Sequence, residues 1–122
     1  MKFIEHVPAQ ALLVDNTTDV ETLSLAGVHV IALQFPKWVD GRAYTQAVTL
    51  RRRLHFRGEI VATGEVLVDM VPLLARTGFS VVQLQAGQSE AAARKTLASF
   101  ERGHYQGDVN QTRPWFARGA AA

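Results

Sequence analysis

Cysteine is absent from the 122 residues, which excludes a disulfide framework, a thiolate metal site, an iron–sulfur cluster held by this chain and a cysteine nucleophile. Charge of one sign is also scarce: 13 Lys and Arg stand against 11 Asp and Glu, net +2, too weak a field to argue for nucleic acid or membrane. No run approaches the ~20 apolar residues of a membrane span. The opening Met1-Lys2-Phe3-Ile4-Glu5-His6 has an acid and a His where a signal peptide needs an apolar stretch. A soluble, cytoplasmic protein is therefore expected. The four histidines, His6, His29, His55 and His104, lack the paired spacing of H-E-x-x-H, so no metal is expected. The phosphate loops G-x-G-x-x-G and G-x-x-x-x-G-K-[ST] and the serine elbow G-x-S-x-G are missing as well, and no resident cofactor is expected.

What is present is a foldable chain, 48% hydrophobic and 20% charged, of a length that suits one domain. Ala11-Leu12-Leu13-Val14 reads as a brief strand closed by the turn Asp15-Asn16. Val28 to Phe35 is β-branched and apolar almost throughout, the pattern of a strand covered on both faces, and Pro36 ends it. Capped by Thr45 or Asp40, a helix follows with Ala47, Leu50 and Leu54 at spacings of three and four, stopped by Gly58. Glu59 to Thr63 forms the next strand. A helix over 66–76, regular from about Asp69, should turn Met70, Leu73 and Leu74 inward, with Pro72 in its first turn and Gly78 at its end. Phe79 to Leu84 is a fourth strand. Ser89 caps a third helix whose face is Ala93, Leu97 and Phe100.

Strand and helix alternate with short joints, which predicts an α/β fold of βαβ units around a small, mostly parallel four-stranded sheet. A flavodoxin-like layering and a half-barrel both fit. The domain is expected over 1–102, with an aperiodic tail over 103–122 that holds Trp115 and Phe116. An exposed sheet edge makes a homodimer a reasonable expectation.

Ligands of open α/β sheets collect at the carboxyl ends of the strands. Of the four such ends, Pro36-Lys37-Trp38-Val39-Asp40-Gly41-Arg42 is the richest, with two cations, a carboxylate and an aromatic ahead of a helix N-terminus that could hold an anion. A cation there opposes the helix dipole, so Arg42 calls for an anion or a carboxylate, and Asp40 or Glu65 can supply the latter. The anion- or partner-binding candidates are Lys37, Trp38, Asp40, Arg42, Glu65 and Asp69; catalytic residues are not assigned. Residues 37–57 carry net +5, but Arg51, Arg52 and Arg53 fan across about 200° of a helix and cannot line one groove. They are read as a solvated face.

The order Phe35-Pro36-Lys37-Trp38-Val39-Asp40-Gly41-Arg42, Leu50-Arg51-Arg52-Arg53, Gly58-Glu59, Ala62-Thr63-Gly64-Glu65-Val66-Leu67, Asp69 and Gly78-Phe79 resembles a bacterial family catalogued as domain of unknown function 934. The likeness spans residues 28 to about 106. Trp38 replaces the family's usual Phe, Glu65 its usual Asp, and Thr77 stands where many members carry Cys. The resemblance implies a setting in sulfur assimilation, because members are commonly encoded beside assimilatory sulfite reductase. Two roles follow from it as expectations. One is an accessory protein that binds sulfite reductase or its electron donor through the basic segment 37–57 and the aromatic turn. The other is a small anion-binding enzyme or oxidoreductase with its site at the Phe35–Arg42 turn.

Overall fold

The computed structural model describes residues 1–101; the tail with Trp115 and Phe116, and also His104, lies outside the described residues. Residues 30–33 and 35 are apolar, broken only by the half-buried Gln34, and the strand they form is covered on both faces. Ile31, Leu33 and Phe35 point into one cluster and Val30 and Ala32 into another. Around it the described chain makes five strands, β1 (Lys2–Phe3), β2 (Leu12–Val14), β3 (Val30–Phe35), β4 (Glu59–Gly64) and β5 (Val81–Val82), with three helices, α1 (Arg42–Arg52), α2 (Val71–Thr77) and α3 (Glu90–Glu101). The spatial order is β1-β5-β4-β3-β2, and every pairing is parallel. The α/β class is as expected, with five strands in place of four. The extra one, β1, is only two residues long, too short for any periodicity, and it attaches to β5 through Lys2 N–H to Ser80 O and Ile4 N–H to Val82 O, both 2.9 Å.

The three helices share one face. Ala43, Ala47 and Leu50 of α1, Val71 and Leu74 of α2, and Ala93 and Leu97 of α3 join Ile31, Leu33, Phe35, Ile60, Ala62 and Val82 in the main core. Phe35 anchors it, with Tyr44 and Phe79 at ring distances of 5.0 and 5.8 Å. On the opposite face, Val30, Ala32, Val61 and Val81 are packed by Ile4, Val7 and Ala11, residues of the segment that carries the chain from β1 at one edge to β2 at the other. Leu73 and Phe100, expected inward, are 41% and 47% exposed. In α2 the buried stripe runs through Val71 and Leu74, and in α3 through Ala93 and Leu97, each a complete one-turn spacing that leaves Leu73 and Phe100 off the core.

The ends of the helices follow local chemistry. Helix α1 begins at Arg42, three residues before Thr45, because Asp40 Oδ1 accepts the Arg42 N–H at 3.0 Å. A single 3-10 turn (Val68–Met70) leads into α2, whose first turn holds Pro72 and whose end is the left-handed Gly78, φ 117°. Ser89 Oγ accepts the Ala92 N–H at 3.1 Å and caps α3.

The arginine run at the end of α1 departs from its expected solvated role. Arg51 is half-buried. Its Nε donates to Gly78 O at 2.9 Å, and its Nη1 to Phe56 O at 2.9 Å and Gly58 O at 2.7 Å. One guanidinium thus ties the end of α1, the loop into β4 and the end of α2. Gly58 belongs to the same joint: a Cβ there would lie 2.2 Å from His29 O. Arg53 pairs with Glu21 at 3.2 Å.

Candidate functional site at the carboxyl edge

Parallel strands in register end together, so Phe35 of β3 sits beside Gly64 of β4. Gly64 has φ +102°, and a Cβ on it would fall 2.4 Å from Phe35 O; only glycine permits this approach. The next residue is thereby delivered to the β3–α1 turn. Glu65 N–H bonds Phe35 O at 2.8 Å, and its Oε1 accepts the Trp38 N–H at 2.6 Å. Asp40 N–H closes the turn on Lys37 O at 3.0 Å. The indole of Trp38 is 54% exposed and Val39 68%. The backbone of this tip is fixed while its side chains face solvent.

Arg42 finds its anion inside the protein. Its Nε and Nη2 reach Asp40 Oδ1 and Oδ2 at 3.2 and 3.0 Å, and Asn16, itself buried, donates to Oδ2 at 2.8 Å. The side-chain and backbone hydrogen bonds from Arg42 hold the Asp40 carboxyl below its ordinary value, and the same contact raises Arg42. Asp15 is lowered too, through the Thr17 hydroxyl and N–H. Gln46, buried in α1, donates to Asp15 O and Thr18 O at 2.9 Å each. The loop after β2 is thus tied to α1 at two points.

Lys37, Trp38, Asp40, Arg42 and Glu65 all lie at this edge, in the turn after β3 or at the end of β4. Trp38 meets Glu65, and Asp40 meets Arg42; among the described residues Lys37 makes no ion pair. Asp69 is exposed in the 3-10 turn before α2, with no hydrogen bond to the other five. Sequence reasoning passed over Asn16 as a turn residue, although its place at the carboxyl end of β2 was a signal. It also gave no weight to a groove of about 660 Å3 at the ends of β1, β4 and β5, lined by Glu5, Thr63, Gly64, Gln83, Gln85 and Gly87 among others. Chemically, the turn offers one cation and one bare aromatic, while the carboxylates of Asp40 and Glu65 are already engaged as acceptors.

No described helix is long and apolar enough to cross a membrane. Among the described residues no three His, Asp or Glu side chains gather closely enough for a metal ion. No curated protein and no solved structure matches the chain. The model of the family described as "Bacterial protein of unknown function (DUF934)" matches residues 11–116, most of the chain and all of the turn, α1 and Glu65, and the chain belongs to that family.

Proposed function

We propose that the protein is a non-catalytic accessory factor that docks onto a redox partner through the β3–α1 turn, with Trp38 as its anchor. The observation that carries this reading is the Trp38 tip: a half-exposed indole next to the exposed Val39, on a backbone held by Glu65. Tryptophan is enriched among residues that dominate binding energy, and a backbone fixed before association lowers the entropy lost on docking. The partner we assign is sulfite reductase or its electron donor, the setting that the family resemblance implies. The engaged Asp40, Arg42 and Glu65 give the anion-binding enzyme less support. Docking by the whole +5 segment is also weaker than the sequence suggested, since Arg42 and Arg53 have carboxylate partners and Arg51 has carbonyls.

The test is calorimetric titration of purified host sulfite reductase, and separately of its electron donor, with wild type and Trp38→Ala. One of the two should bind wild type, and Trp38→Ala should weaken that affinity at least tenfold with an unchanged unfolding midpoint. Absence of binding to either protein, or equal binding by the variant, overturns the proposal.

A further inference from the structure

The groove at the ends of β1, β4 and β5 lies where open α/β sheets receive ligands, and its chemistry differs from that of the Trp38 turn. In its lining the Gln83 carboxamide is fixed from both ends. Thr63 Oγ1 bonds Gln83 Oε1, and Gln83 Nε2 donates to Glu5 O at 2.8 Å. Its far wall, residues 85–88, is pinned by Gln88 Oε1, which accepts the Val68 N–H at 2.8 Å. On that wall the Gln85 carboxamide is exposed and has no hydrogen-bond partner among the described residues. Gly87 has φ +91°, and nothing lies within 4 Å of where a Cβ would stand, so its backbone is bare to an approaching chain.

The lining sorts the possible ligands. It carries two acids, Glu5 and Glu90. Glu90 accepts from Arg94 at 2.8 Å, whereas Glu5 makes no ion pair among the described residues. With no cation in the lining, an anion would meet repulsion and no compensating charge. A flat heterocycle would want a stacking platform, and the ring of Phe3 already has the Arg94 guanidinium 4.6 Å from its centroid. What remains is a chain of amides. Carboxamides present the same paired donor and acceptor as a peptide bond, and a free carboxylate suits a basic side chain.

We propose that this groove binds an extended peptide segment bearing a lysine or arginine, its backbone met by Gln85 and Gly87 and its cation by Glu5. The inference does not rest on the docking role of Trp38.

The probes are two pools of N-acetylated, C-amidated octapeptides, random except for a fixed central Lys in one and Glu in the other, passed over immobilised full-length protein. Retention is quantified by mass spectrometry. The Lys pool should be retained at least tenfold over the Glu pool. This runs against the chain's net charge of +2, which would favour the acidic pool if attraction were nonspecific. Glu5→Lys should remove the preference, and Ala86→Trp, in the exposed wall, should lower retention at least tenfold; Gln85→Arg serves if Ala86→Trp fails to fold. Trp38→Ala should retain both pools as wild type does, which separates this site from the proposed docking tip. Equal retention of the two pools, a preference for Glu, or retention unchanged by Glu5→Lys and by the groove-filling variant overturns the proposal.

Discussion

Helix α1 carries an arginine at each end, and the two are used in opposite ways. At the N-terminus Arg42 faces the positive pole of the helix dipole, remains exposed, and is held by a carboxylate two residues earlier. At the C-terminus Arg51 faces the negative pole, is half-buried, and donates to three backbone carbonyls from two other parts of the chain. A cation at the unfavourable end needs a local counter-charge and so frames a surface turn; one at the favourable end can satisfy loose carbonyls and join elements. Residue type is the same, and position on the helix decides whether it serves the surface or the fold.

The largest effect should come from the buried end. Arg51→Ala leaves three carbonyls without their donor, and should cost about 2–4 kcal/mol in denaturant unfolding. Arg51→Lys should restore less than half, because one ammonium cannot span the three acceptors that the guanidinium fork reaches. Wild-type stability in Arg51→Ala would break the comparison. Gly64→Ala comes next. Strain at φ +102° and the contact with Phe35 O should cost about 2 kcal/mol, and the displaced Glu65 should also change the emission of Trp38 in a Trp115→Phe background.

At the exposed end the effects are smaller. Glu65→Gln weakens a charge-assisted bond and should cost no more than about 1 kcal/mol, while raising the mobility of Trp38 as read by fluorescence anisotropy. An unaltered anisotropy would show that the bond does not hold the turn. The smallest effect is a pH dependence. The Asp40 carboxyl is held below its ordinary value of 3.8, so the stability it contributes is full well above that value and is lost as pH falls through the lower, folded one. The gap in unfolding midpoint between wild type and Asp40→Asn should therefore stay constant from neutral pH to about pH 5 and close in stronger acid. A gap that widens in acid contradicts the pairing.

Much of the fold was legible because its signals are local. The apolar run that became β3, Pro36 after it, Pro72 in the first turn of α2, Gly78 at its end and Ser89 before α3 each act within a few residues. Strand β1 was not legible, since two residues carry no period and its pairing partner is some eighty residues away in the chain. Nor was the role of Arg51, whose acceptors at Phe56, Gly58 and Gly78 gather only once α1, α2 and β4 pack. At the candidate site, the richness of residues 36–42 and the need of Arg42 for a carboxylate could be read from the dipole argument. The choice of Asp40 over Glu65 could not. It depends on Gly64, whose close approach to β3 gives Glu65 to the Trp38 N–H instead. Sequence proximity to Glu65 groups Asp69 with the site, but Asp69 sits within the 3-10 turn Val68–Met70, exposed and without a hydrogen bond to the other five.

Acrylamide quenching of Trp38 in the Trp115→Phe protein, with and without saturating sulfite reductase or its electron donor, tests the docking role most directly. The account predicts that Trp38 is readily quenched in the free protein and that one of the two partners lowers its quenching constant at least threefold, as expected for an indole that becomes covered. A constant unchanged with either partner at saturation would contradict it.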